Sequence, residues 1–223
     1  MPFSHILFDL DETLYDRRTG LMEEIGRRIT LWLQERLGLN PEEAEGVRKA
    51  YVQRYGTTLA GLQAEWPRDV DVEEYLRFVH DVPVEAYLRP DPALASMLAG
   101  LPLRRAVFTN SNREHALRVL HALGIAHLFE VIVDIRAVGM CPKPWLDAYR
   151  RTLEILGVPG SACILVEDRA VNLRPAKQFG MTTVLVDGEP EEGVDFTVRD
   201  ILEVGPLVEQ LLAGNRHRGI SAS

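Results

Sequence analysis

Near the start of the chain, Phe8-Asp9-Leu10-Asp11-Glu12-Thr13 places two carboxylates two residues apart, directly after an apolar run. Where a chain leaves a buried strand, both can face one cavity. The first then suits a nucleophile and the second a proton donor and acceptor. An Asp-rich surface turn would carry the same residues. Thr109-Asn110-Ser111 offers a hydroxyl and backbone N–H groups at a helix entrance, an arrangement that binds anions and equally that of an ordinary N-cap. Lys143 lies between Pro142 and Pro144 and supplies a point charge suited to phosphate. It is one of only three lysines, with Lys49 and Lys177. Glu167-Asp168, followed by Asn172, reads as a pair of metal ligands or as acids matched to a helix dipole. In chain order the four supply a nucleophile, an acid/base, a phosphate clamp and a cation site.

Five short, nearly continuous apolar runs must position these groups: His5–Asp9, Ala106–Thr109, Val131–Asp134, Ala162–Glu167 and Thr183–Asp187. Such runs mark strands buried on both faces, as in a parallel sheet. Helical patterns separate them at Glu114–Leu123, at Trp145–Leu156 with Pro144 at the first helical position, and at Asn172–Phe179 before Gly180. The fold class expected is a doubly wound, Rossmann-like α/β sheet. Between the first two strands the pattern changes. Leu21, Ile25, Ile29, Trp32, Leu33 and Leu37 recur at helical spacing up to Gly38. Further helices are predicted from Asn40-Pro41 to about Tyr55 and over Val72–His80. The expected organisation is a core of 1–15 and 91–213, an all-helical insertion over 16–90, and a frayed tail over 214–223.

In such a sheet, ligands sit at the carboxyl ends of the strands. Those ends carry Asp9, Thr109-Asn110, Asp134, Glu167-Asp168 and Asp187. Carboxylates gathered there repel unless a cation lies among them, and oxygen-only ligands favour Mg²⁺ or another hard ion.

With these motifs in order, the sequence resembles the haloacid dehalogenase superfamily. Asp9-Leu10-Asp11-Glu12-Thr13 matches its DxDxT motif, Thr109 its second motif, Lys143 its third and Glu167-Asp168 its fourth. The helical insertion looks like the family's C1 cap. Phe8–Tyr15, Tyr55–Leu62, Phe108–Ser111, Cys141–Pro144 and Asn172–Leu185 are most similar to the pyrimidine 5′-nucleotidase group. Glu167 stands where that group often has Asp, and Arg169 where Ser is common.

The resemblance implies a Mg²⁺-dependent phosphomonoester hydrolase. Asp9 would form an aspartyl-phosphate and Asp11 would act as acid and base. Asp9, the Asp11 carbonyl, Asp168 and Glu167 would hold the metal. Thr109, the Asn110 N–H and Lys143 would bind phosphate, and Asn172 would orient Lys143 or the metal ligands. Tyr15, Tyr55 and Thr58 are candidate substrate contacts, with core packing the competing reading for the tyrosines. Dehalogenase relatives lack the second acid, so Asp11 points to phosphate chemistry. The alternatives are a sugar-phosphate phosphatase, a β-phosphoglucomutase-like isomerase and a non-catalytic binding protein. Trp32 is expected in the core and Trp66 as a hydrophobic anchor of the insertion. His80, His115, His121 and His127 are expected to be structural or solvated.

Composition sets the outer limits. The 223 residues are 46% hydrophobic and 26% charged, which is globular. No uncharged run approaches the about 20 residues that span a membrane, and residues 1–10 do not resemble a secretory signal. A net charge of −8 disfavours nucleic acid polymers as partners. Cys141 and Cys163 form no metal or disulfide pattern, which fits a cytoplasmic setting. The expected partner is a small phosphorylated metabolite, bound by a monomer or homodimer.

Overall fold

The structure, a computed structural model, describes residues 3–66 and 70–220. Six strands form one sheet: β1 (His5–Phe8), β2 (Arg104–Phe108), β3 (Val131–Val133), β4 (Cys163–Glu167), β5 (Thr182–Val186) and β6 (Phe196–Val198). Their order is β3-β2-β1-β4-β5-β6 and every neighbouring pair is parallel. The sheet is therefore the α/β arrangement expected, with one strand more. β6 is a three-residue edge strand on β5, too short to show a pattern in sequence.

β1 is fully buried because both its faces are covered. Ile6 and Phe8 join one apolar core, and Leu7 joins the other. Its position decides where ligands can enter. β1 is central, with β2 on one side and β4 on the other, so the chain's winding reverses beside it. Phe8 pairs with Val107 and with Val166. The next residue, Asp9, thus sits level with the ends of both neighbouring strands.

Between β1 and β2 lie α1 (Leu21–Leu37), α2 (Pro41–Tyr55), α3 (Thr58–Glu65), α4 (Val72–Val79), α5 (Val84–Tyr87) and α6 (Pro92–Gly100). α1 ends at Gly38, whose φ of +68° is open to glycine without a Cβ clash. α2 opens with Asn40 and Glu43 in a reciprocal capping box and with Pro41 in its first turn. α3 is absent from the helices expected. Its eight residues are capped by the Thr57 hydroxyl, and its packing on α2 supplies what a short segment lacks alone. Trp32 is 1% exposed, in the core as expected. Trp66 is partly exposed and donates to the Tyr51 hydroxyl at 3.1 Å rather than anchoring in an apolar core.

Beyond β2 come α7 (Arg113–Ala122), α8 (Leu146–Leu156), α9 (Ala170–Leu173) and α10 (Val204–Ile220). α8 begins at Leu146, so Pro144 lies before the helix instead of in its first turn. The helix expected over 172–179 is α9 followed by a 3-10 turn, because Pro175 cannot donate to an α-helical ladder. Residues 214–220, expected to be frayed, continue α10, since extending an existing helix adds a hydrogen bond for each residue fixed. Residues 221–223 of that tail lie outside the described residues. No helix among the described residues is long and apolar enough to cross a membrane.

Candidate active site

Asp9 follows β1 directly and its N–H donates to Val166 O at 2.9 Å, as if the strand continued. The chain then turns sharply: Glu12 has φ +63°. This turn brings Asp11 back beside Asp9, at the mouth between β1 and β2. β2 delivers Thr109, and β4 ends in Glu167 with Asp168 next. Three strand ends thus converge.

Lys143 arrives on the loop before α8 and is 1% exposed. Its Nζ donates to Asp9 Oδ1 at 2.7 Å, Phe108 O at 2.8 Å and Glu167 Oε1 at 3.0 Å. All three donor positions of the ammonium are used. The Asn110 side chain holds the loop: Lys143 N–H donates to Oδ1 at 2.8 Å, and Nδ2 donates to Lys143 O at 3.0 Å. Asn110 therefore has a role in fixing Lys143 that its place in the sequence did not suggest. Asn172, expected to orient Lys143 or the metal ligands, donates to Glu167 Oε1, one of the acids expected at the metal. Glu167 Oε2 accepts the Arg169 N–H at 2.6 Å, while the Arg169 side chain is exposed. Thr109 Oγ accepts from Ser111 N–H at 3.0 Å, which leaves its own proton for a ligand. Asp9, Asp11, Thr109, Asn110, Lys143, Glu167, Asp168, Asn172 and Thr58 all line one cavity of 340 Å³.

Two expected contacts lie elsewhere. The Tyr15 hydroxyl donates to Asp11 Oδ1 at 2.8 Å, and Tyr15 does not line the cavity. Burial, then the Asp11 charge, pushes that hydroxyl far above its ordinary range, so it remains a donor. The Tyr55 hydroxyl donates to Glu65, away from the cavity. Asp134 is also diverted: its carboxylate accepts the N–H groups of Arg113 and Ala137 at the start of α7 and the following turn. Asp187 pairs with Arg17 at 3.3 Å on the surface.

Asp11 is held by three donors. Oδ1 accepts from Tyr15 and from His115 Nε2, the latter at 2.9 Å, and Oδ2 accepts from Ser111 Oγ at 2.6 Å. Burial works against its charge, but these donors outweigh burial and hold it well below the usual carboxylate range. His115 was expected to be structural or solvated, as His121 and His127 are in their exposed positions. Only the rotation of α7 against β1 turns His115 toward Asp11.

Asp9, Glu167 and Asp168 each bring a carboxylate oxygen within 4.8 Å of the others. Burial pushes Asp9 up to about 7, with Lys143 pulling it down and Glu167 and Asp11 adding to the rise. Burial, then repulsion from Glu167 and Asp9, pushes Asp168 up to about 8. Lys143 stays charged: burial opposes its ammonium, but Asp9 and Glu167 outweigh the penalty. One ammonium does not balance these acids, and an all-oxygen donor set of this kind fits a hard divalent cation.

Away from the acids, the cavity wall comes from α1 to α4: Met22, Ile25, Ile29, Val52, Leu59 and Leu76, with Arg48, Thr58 and His80 among the polar groups there. The site can therefore hold a charged head at the sheet and a largely apolar body under the helices.

A family model described as haloacid dehalogenase-like hydrolase matches residues 3–180. Phosphate metabolism protein 8 of Saccharomyces cerevisiae is 35% identical over 193 residues, covering 80% of this chain and 60% of the yeast protein. The chain thus spans less than two thirds of that relative's length. A phosphoglycolate phosphatase of Aquifex aeolicus is 28% identical over 183 residues, 81% of this chain and 83% of its own. Among solved structures, CbbY from Rhodobacter sphaeroides in complex with phosphate superposes with a TM-score of 0.65 at 25% identity, covering 91% of this chain and 96% of that one.

Proposed function

Because this chain belongs to the haloacid dehalogenase-like hydrolases, we propose that it is a Mg²⁺-dependent phosphatase acting on nucleoside 5′-monophosphates, pyrimidine ones above all, through a phosphoryl group carried on Asp9. The observation that carries the reading is the pairing of Asp9, held by Lys143, with a second acid, Asp11, kept in place by three donors. A nucleophile alone suits several reactions. A nucleophile with a neighbouring proton carrier suits ester cleavage that releases an alkoxide. The phosphatase names among the relatives point the same way.

Lys143 holds Asp9 Oδ1, which leaves Oδ2 as the freer oxygen; among the described residues its hydrogen-bond partner is the Thr13 hydroxyl at 3.5 Å. Asp9 attacks phosphorus, the ester P–O bond breaks, and Asp11 gives a proton to the departing alkoxide. Water then attacks the phosphoryl group and loses its proton to Asp11, and Asp9 is freed with inorganic phosphate. Thr109 offers its hydroxyl proton to a phosphate oxygen, and Lys143, with its three donors taken by Asp9, Phe108 and Glu167, adds positive charge beside the phosphate. Asp9, Asp168 and the Asp11 carbonyl would hold Mg²⁺, with Glu167 behind them, and the bound ion supplies positive charge against the phosphate.

In this reading residues 16–90 are a helical lid domain over a core of 1–15 and 91–213. The substrate choice rests on the lid side of the cavity. Its wall is mostly aliphatic with few polar groups, which suits a flat base better than a sugar whose hydroxyls each need a partner. Phosphate release from UMP, CMP, dTMP, AMP and several sugar phosphates, with Mg²⁺ and with EDTA, tests it. Metal-dependent release, highest with pyrimidine nucleotides and abolished in Asp9→Asn, is the expected result. Release highest with sugar phosphates would retain the chemistry and replace the substrate. No release from any ester would overturn the phosphatase reading.

A further inference from the structure

His115 is fully buried, and its Nε2 meets Asp11 Oδ1 at 2.9 Å. A carboxylate oxygen only accepts, so Nε2 carries a proton. The other ring nitrogen, Nδ1, has no partner among the described residues. The ring cannot swing away. His80 stacks on it with centroids 4.7 Å apart and planes 30° apart, and His80 is fixed in turn by its Nδ1–H on Leu76 O at 2.9 Å. Arg118, on the same helix as His115, donates to Val82 O at 3.0 Å and to His80 O, so α7 is tied to the end of α4.

All three groups on the Asp11 carboxylate are donors, from Tyr15, Ser111 and His115. That surrounding is built for an oriented carboxylate, the form that takes a proton. We propose that His115 is a positioning residue that fixes the Asp11 carboxylate to accept the proton of the water that hydrolyses the phosphoryl group on Asp9. In that step the water oxygen bonds to phosphorus, the bond from phosphorus to Asp9 breaks, the Asp9 carboxylate is restored, and the water proton goes to Asp11. The inference rests on the phosphatase reading and adds the half-reaction in which His115 matters.

p-Nitrophenyl phosphate separates the half-reactions, because its leaving group departs without a proton. kcat/KM then reports transfer to Asp9, and kcat reports hydrolysis when hydrolysis is slow. In His115→Leu with Mg²⁺, kcat is expected to fall at least tenfold and KM to fall with it. kcat/KM should stay within threefold of wild type, and a burst of about one p-nitrophenol per enzyme should appear. His115→Gln, whose amide N–H can replace Nε2–H, should keep kcat within threefold. Should His115→Leu not fold, His115→Asn, whose amide stops short of Asp11, carries the same expectation.

Equal losses in kcat and kcat/KM without a burst, or an unchanged kcat, would overturn the role of His115 and leave the phosphatase reading intact. Absence of Asp9-dependent p-nitrophenol release from wild type would overturn both. A second arm uses the unsubstituted chain. Its ¹H–¹⁵N imidazole spectrum should show a buried Nε2–H histidine whose signals move in Asp11→Asn; a buried His115 in the Nδ1–H form would overturn the proposal.

Discussion

Lys143 Nζ lies between two buried carboxylates, Asp9 and Glu167, so its removal leaves both without a partner. Lys143→Met is therefore expected to cost about 3–5 kcal/mol in metal-free urea unfolding, the range for breaking a buried ion pair. Asp168 is the opposite case. With its carboxyl pushed up to about 8, folding disfavours its charge in neutral solution. Metal-free Asp168→Asn should be more stable than wild type at pH 8, by the same measurement. His80 links stability to pH. Burial, then the neighbouring His115, pushes it from 6.5 down to about 3. The unfolded chain then binds a proton that the folded chain refuses, so His80 contributes stability above about pH 6.5 that is lost as the pH falls toward 3. Between pH 7 and pH 5, wild type should lose about 2 kcal/mol more than His80→Gln.

Among the elements, the join between α2 and the Lys143 loop is a close one. Gly56 has φ +87°, and a Cβ there would lie 2.8 Å from Lys143 O and 2.9 Å from Pro144 Cδ. Beside it, Trp145 Nε1 donates to Tyr55 O at 2.9 Å. Gly56→Ala should cost at least about 1–2 kcal/mol from the left-handed backbone alone, and should lower kcat by displacing Lys143. Gly46, inside α2 with open space around it, is the control. Gly46→Ala should stabilise by about 0.5–1 kcal/mol and leave kcat unchanged.

Across the whole molecule, the Lys143 loop and α7 are two of the places where the helices between β1 and β2 meet the sheet. Arg136 adds a bridge on the α7 side, pairing with Glu73 of α4 at 2.6 Å and Glu114 of α7 at 2.7 Å. These pairs are partly exposed and contribute little stability singly. The acids at the strand ends act on the whole fold through the cation they invite. Mg²⁺ at 100 times its dissociation constant should stabilise the chain by about 2.7 kcal/mol. A raised thermal midpoint would be the readout, and Asp168→Asn should lose most of the rise.

The sequence by itself determined five of the six strands, most helices and the candidate acids and lysine of the site. Buried strands show as continuous apolar runs, and α1 and α2 announce their ends through Gly38, Asn40 and Pro41. Asp9, Lys143, Glu167 and Asp168 are legible because each lies at a strand end or before a helix, where local spacing already fixes its address. Tertiary structure alone decided which acids face each other. Asp134 and Asp187 sit at strand ends too, yet one caps a turn and the other pairs on the surface. It also decided what surrounds Asp11. Ser111 and His115 are about a hundred residues away in the chain, and they reach it through the register of β1 on β2 and the rotation of α7. Neither quantity has a local signal, because both are set by the packing of whole elements rather than by the order of neighbours along the chain.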